Sequence, residues 1–311
     1  MHLPLQFVET VHRIFGDDGR AWLPRLPDIL AQCRTKWGLA VGVPFSGMSL
    51  NYLEFTTTAA GEAVALKVGV PHSELYTEMD ALAFYGGHRA VRLLDADREL
   101  GALLLQGLQP GTRLWEIGDN ARETRIAASI ICALHARTLH APPPAGHSFP
   151  TFARWVHRAF HFTRTEWDPD ERMPRDLLGQ AERAFQEIER TAERTVVLHG
   201  DLHHENILYD EHAGWTAIDP KGAIGAPILE VGRYIQNQLP GGPSGARREA
   251  LVRARVEILS GELGYTPEAV AASALVDCVL SHCWSFEDEA LGEDWALGIE
   301  LGRLLCTIAK L

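Results

Sequence analysis

The chain has 311 residues, 46% of them hydrophobic and 23% charged, with a mean hydropathy of −0.08; this is the composition of a folded protein with a sizeable core and excludes a disordered chain. The formal net charge of −12 argues against nucleic acid as a partner, because a general nucleic-acid binder presents a basic face. It is compatible with a cationic partner.

No apolar run approaches the roughly 18 residues that a bilayer span requires, so no membrane association is expected. The opening Met1-His2-Leu3-Pro4 lacks a basic segment followed by an apolar stretch, the mark of a secretion signal. Cys33, Cys132, Cys278, Cys283 and Cys306 form no CxxC pair, which suits a reducing cytoplasm and core thiols. The pattern carries no signal for oligomeric state.

In chain order, apolar and β-branched runs predict strands at Leu39–Phe45, Tyr52–Thr58 and Ala63–Val70, separated by Ser46-Gly47-Met48-Ser49 and the turn at Ala60-Gly61. From Ser73 to Tyr85 the spacing turns helical, with Met79 and Leu82 on one face and Gly86-Gly87 as the stop. A strand at Gly101–Leu105 runs into the turn Gln106–Gly111. Beyond it, helices are predicted over Ala121–Leu139, Leu177–Thr191, Arg247–Leu259 and much of Pro267–Leu311. Two short strands, Val196–Leu198 and Thr216–Ile218, interrupt them. The expectation is an α+β fold with a small strand-rich lobe, 1–106, and a larger mainly helical lobe, 107–311.

The segment richest in chemistry is Val196-Val-Leu-His-Gly-Asp-Leu-His-His-Glu-Asn-Ile-Leu-Tyr209, followed by Ile218-Asp219-Pro220. A buried strand delivers a polar loop holding Asp201 and Asn206, and a second strand returns to end at Asp219, as in a hairpin. Oxygen donors of this kind suit Mg²⁺, which takes one or two carboxylates and completes its octahedron with water and phosphate oxygens. His199, His203 and His204 beside Asp201 also leave open a zinc site and hydrolase chemistry.

His199-Gly-Asp201-Leu-His-His-Glu-Asn206 resembles the catalytic loop of the protein-kinase-like fold in the form used by aminoglycoside phosphotransferases and choline kinases. With Gly214-Trp215 and Ile218-Asp-Pro220, it is similar in particular to the streptomycin 6-phosphotransferase and hydroxyurea phosphotransferase group. The resemblance implies a bilobal kinase-like fold, ATP and Mg²⁺ as cofactors, and transfer of the γ-phosphate to a small hydroxylated acceptor. Asp201 would then align the acceptor hydroxyl and take its proton, Asn206 and Asp219 would hold the metal, and His203 would stand near the transferred phosphate.

The same resemblance gives roles to the first lobe. Lys67, inside Ala63-Val-Ala-Leu-Lys-Val68, stands as the lysine that contacts the nucleotide phosphates, with Glu78 as its ion-pair partner and Glu74 as the alternative. Ser46, Gly47 and Ser49 occupy the place of the phosphate-covering loop, although the sequence is neither GxGxxG nor GxxxxGK[ST]. Gln106 and Leu108 lie in the stretch similar to the hinge that binds the base. For the acceptor, Glu287, Asp288 and Glu293, near Trp284 and Trp295, offer carboxylates and aromatic faces for a cation, or else form a solvated acidic turn. Glu230 either orders the metal loop or faces the acceptor. An aminoglycoside is the first acceptor this implies, with hydroxyurea or another small hydroxylated metabolite as alternative; a nucleotide-binding pseudokinase is the non-catalytic alternative.

Overall fold

In the computed structural model, residues 3–311 are described except 141, 144, 167–171, 240–244 and 288–294. Two helices open the chain, α1 (Leu5–Trp22, bent at Gly16) and α2 (Leu26–Trp37); the reading of this lobe as chiefly strands does not contain them. Their apolar faces, Phe7, Val11, Leu26, Leu30 and Cys33, bury against Tyr52, Leu66, Val68 and Ala102 of a sheet. A polar clamp fixes the contact: the Arg34 fork donates to both oxygens of fully buried Glu54 at 3.1 and 2.6 Å, and the Tyr52 hydroxyl donates to the same carboxylate.

That sheet has five antiparallel strands in the order β1-β2-β3-β5-β4: β1 (Val43–Pro44), β2 (Tyr52–Thr57), β3 (Ala63–Val68), β4 (Leu93–Asp97) and β5 (Ala102–Gln106). The strand expected over Leu39–Phe45 shrinks to Val43–Pro44, with Leu39 bridging to Thr58. Val41 and Val43 are exposed at this edge, so no second packed face rewards a longer strand. Helix α3 (Ser73–Tyr85) is as expected, ending on Gly86 at φ 59°. The period of two along β3 sends Leu66 and Val68 toward α1 and α2 and Ala65 toward α3. Lys67 therefore shares the α3 face.

The sheet ends at Gln106, and the next strand, β6 (Pro110–Arg113), pairs with strands of the second lobe. There, α4 (Asn120–His140), α5 (Phe152–Glu166), α6 (Arg175–Thr191), α7 (Val231–Gln236), α8 (Gly245–Leu263) and α10 (Trp295–Ala309) accompany α9 (Pro267–Glu287). By length and composition α9 is apolar enough to cross a membrane. In the fold it is the core helix, packed on α5, α6, α7, α8 and α10. The result is a bilobal α+β fold of kinase-like topology.

The expected hairpin between Val196–Leu198 and Thr216–Ile218 does not form. Strand β7 (Val196–Leu198) pairs with β10 (Ala223–Gly225), and β9 (Gly214–Ala217) pairs with β8 (Ile207–Asp210), a strand not expected from the sequence. The tight turn at Asp210–Ala213 explains it: Asp210 accepts from the His212 and Ala213 amides and closes β8 onto β9.

Candidate active site

Lys67 and Glu78 meet across the first lobe, with Lys67 Nζ 2.7 and 2.9 Å from the two Glu78 oxygens, and both residues buried. Glu74 sits exposed in the first turn of α3. The same ammonium reaches across the cleft to Asp219 Oδ1 at 2.8 Å. Burial opposes the Lys67 charge, but the Asp219 and Glu78 carboxylates outweigh it and raise its pKa. Burial pushes the Glu78 carboxyl up to about 7, against the pull of Lys67.

The second lobe builds its half from loops. Between β7 and β8, Gly200 turns at φ 78° and delivers Asp201, and a short 3-10 turn, His204–Asn206, leads into β8. Asn206 Nδ2 donates to the Asp201 carbonyl at 2.9 Å, and the Asn206 carbonyl accepts from the Ile218 amide at 2.9 Å. Asn206 thus joins the loop to the strand end carrying Asp219. Asp219 itself stands at φ 57°, a strained left-handed conformation for a residue with a side chain.

Glu230 explains why the loop holds this shape. It is 2% exposed, and its carboxylate accepts the His199 amide at 2.7 Å and the Gly200 amide at 2.9 Å. His135 Nε2 lies 3.3 Å away. Of the two expectations for Glu230, ordering the loop is what the geometry shows; it cannot face an acceptor, because both oxygens are spent in the core. Burial pushes its carboxyl up, and His135, His199 and the Gly200 amide outweigh that, leaving its pKa lowered.

The three histidines are turned to three different partners. His199 Nε2 bonds the Ile218 carbonyl at 2.9 Å, His203 Nδ1 accepts the Glu205 amide, and His204 Nε2 faces Arg255 at 3.2 Å while its ring stacks on Tyr234. Among the described residues no group of three or more His, Cys, Asp or Glu is placed to hold a metal, which removes the geometric basis of the zinc reading. The oxygen donors fit magnesium better. Asp219 spends one oxygen on Lys67 and its side chain is about half exposed; the bond from Asn206 Nδ2 leaves that residue's side-chain oxygen for a cation.

Asp201 has its own surroundings. Arg233 Nε lies 3.1 Å from Asp201 Oδ1 and 3.6 Å from Asp277 Oδ2, and His203 Nε2 lies 3.9 Å from Asp201 Oδ2. Burial pushes the Asp201 carboxyl up, but the charges of Arg233 and Lys221 outweigh it and leave it below the ordinary value. Arg233 and Asp277 are contacts that the motif reading missed. A lone aspartate in the apolar run of α9 and an arginine one helical turn after Glu230 were the available signals.

The remaining expected residues are more dispersed. Ser46, Gly47 and Ser49 lie exposed between β1 and β2, anchored by buried Met48. Gln106 ends β5, its backbone amide donating to the Arg92 carbonyl, and Leu108 is half-buried against the apolar cluster that includes Ala65 and Leu105. Glu287 is paired with Arg158 at 2.6 Å, so its charge is already balanced within the chain. Asp288 and Glu293 lie outside the described residues.

A strand lysine bridged to a helix glutamate, facing a loop aspartate, an asparagine and a carboxylate across two lobes, defines a kinase-like small-molecule phosphotransferase. The chain belongs to the aminoglycoside/hydroxyurea antibiotic resistance kinase family, whose profile matches residues 37–289. It is 27% identical over 288 residues to a streptomycin 6-kinase of Streptomyces griseus, covering 93% of this chain and 92% of the relative. It is 31% identical over 293 residues to a hydroxyurea phosphotransferase of Kitasatospora aureofaciens, covering 93% and 81%. Among solved structures, choline kinase LicA from Streptococcus pneumoniae superposes with a TM-score of 0.61 at 13% identity, covering 92% of this chain and 99% of that one; this similarity concerns the fold.

Proposed function

We propose that the protein transfers the γ-phosphate of ATP to a hydroxyl of a streptomycin-like aminoglycoside. The single observation that supports transfer most directly is the Lys67–Asp219 contact, which joins the two halves of the site. In this reading Lys67, held by Glu78, binds the nucleotide phosphates, and the base lies against the apolar cluster to which Ala65, Leu105, Leu108 and Ile218 belong. Asp219 and Asn206 hold magnesium, which when bound neutralises phosphate charge. Asp201 orients the acceptor hydroxyl and accepts its proton, and its lowered pKa keeps it ionised for that task. Catalysis is positioning and charge compensation, with no covalent intermediate on the protein. A reducing compartment suits the five free thiols.

A second acceptor has one observation in its favour. The charges that act most strongly on Asp201, Arg233 and Lys221, are positive, which suits a small acceptor whose hydroxyl neighbours a carbonyl oxygen, as in hydroxyurea.

The test is ATP consumption by the purified chain with streptomycin, other aminoglycosides and hydroxyurea, at fixed magnesium. Turnover with an aminoglycoside, abolished in Asp201→Ala while nucleotide affinity persists, is the expected result. Turnover with hydroxyurea alone selects the second acceptor. Absence of turnover with intact nucleotide binding points to a pseudokinase.

A further inference from the structure

The chain contains four lysines, and three of them are matched to carboxylates: Lys36 with Asp97, Lys67 with Glu78 and Asp219, and Lys310 with Glu268. Lys221 is the exception. Among the described residues it pairs with no carboxylate, and its ammonium rests 4.6 Å from the centroid of the Trp284 ring. Its position is set on both sides. It lies two residues past the strained Asp219 backbone, and its stem lies against the loop that carries Asp201: a Cβ built on Gly200 would sit 3.5 Å from Lys221 Cβ.

The nearby carboxylates have closer partners, and the Lys221 charge reaches them only at longer range. Asp201 and buried Asp277 share Arg233, and Asp277 also accepts from Gln236. Trp284 is itself braced edge-on by Trp155 at 5.6 Å. A cation that rests on an indole face, outside ion-pair contact with any carboxylate, retains capacity for an anion. The Lys221 stem lies against the loop of Asp201, its charge acts on that carboxyl, and it follows Asp219 by two residues.

We infer that Lys221 is a further catalytic residue, held in reserve on Trp284 and moving to an oxygen of the transferring phosphoryl group. The inference rests on the phosphotransfer reading and adds a residue that the motif did not supply. In the step it serves, the acceptor oxygen forms its bond to γ-phosphorus as the bond from γ-phosphorus to the β–γ bridging oxygen breaks. ADP leaves with that electron pair, and the acceptor proton passes to the Asp201 carboxylate. Lys221 offsets charge on the non-bridging oxygens and exchanges no proton. His203 is less free for this role, because its Nδ1 is committed to the Glu205 amide and its Nε2 leans toward Asp201.

The experiment compares two ligands by calorimetry on the full chain with magnesium: AMP-PNP, which mimics bound ATP, and ADP with fluoroaluminate, which mimics the transferring group. Lys221→Met should bind AMP-PNP within about threefold of wild type and ADP–fluoroaluminate about 100-fold more weakly, the scale of a lost charge-stabilising contact. Lys221→Arg should recover most of that loss, and thermal melts should show both variants folded. Unchanged ADP–fluoroaluminate affinity in Lys221→Met overturns the inference and leaves phosphotransfer standing. A wild-type chain that binds neither ligand overturns both.

Discussion

The two halves of the site are held by different means. In the first lobe, Lys67 and Glu78 project from a central strand and from a helix, so backbone periodicity aims them. In the second lobe Asp201, Asn206 and Asp219 lie on loops, and their positions depend on hydrogen bonds from residues remote in sequence, chiefly Glu230. The contrast teaches that the Lys67–Glu78 side is a by-product of regular structure, whereas the side holding Asp201, Asn206 and Asp219 is assembled by buried polar contacts. Damage to the second should propagate further.

The largest effect is expected at Glu230. Glu230→Ala leaves two buried amides and His135 without their acceptor, at a cost of about 4 kcal/mol from orphaned donors, and transfer should fall with it. Chemical denaturation alongside nucleotide titration checks this; a loss under 1 kcal/mol would erase the contrast between the lobes.

Next is the pair in the first lobe. Lys67→Met strands the buried Glu78 carboxylate and should cost about 3 kcal/mol. Lys67→Met with Glu78→Leu should regain most of that stability, because no uncompensated charge remains, yet still bind nucleotide poorly. If the double substitution is no more stable than the single, the pair is more than a local bridge.

A smaller loss is expected where helices α7 and α9 touch. A Cβ on Gly232 would collide with Asp277, so Gly232→Ala must push the helices apart, at about 2 kcal/mol. It should also shift Arg233 away from Asp201, readable as a drop in turnover larger than any rise in the KM for ATP.

The smallest effect per unit is a pH slope. Burial first, and then the Arg255 charge, push His204 down to about 2, so the ring stays neutral in the fold while the unfolded chain protonates near pH 6.5. Stability from this group is fully present above pH 6.5 and is lost as pH falls, by about 1.4 kcal/mol per pH unit. His199 and His203, lowered by burial as well, act in the same direction. His204→Gln should flatten the slope between pH 6.5 and 5; an unchanged slope would assign it to other groups.

Legibility followed the same division. Helices α3, α4 and α6 and strands β2 and β3 were readable because one face of each is apolar at its own period. Lys67 interrupts such a run, but only the resemblance to kinase-like phosphotransferases singled it out, whereas Asp201, Asn206 and Asp219 stood out by types and spacing that rarely coincide. The opening helices were not read, although α1 buries Phe7 and Val11 a helical turn apart. The hairpin went wrong because Val196–Leu198 and Thr216–Ile218 are too short for pattern to say which strand each pairs with. The acidic residues near Trp284 read equally as a cation pocket or a solvated turn, and pattern could not show that Glu287 is matched by Arg158, a partner 129 positions away.

Local order was thus written in the amino-acid pattern by itself: the lobes, most helices, the strand lysine and the three oxygen-bearing residues of the loop and strand end. Such features depend on neighbours within a turn or a pleat, and hydrophobic burial enforces them one element at a time. Only the tertiary structure decided which glutamate braces the catalytic loop, which arginine sits on its aspartate, and which lysine was left without a carboxylate. Those contacts join residues tens of positions apart, and burial makes each depend on every neighbour that desolvates it.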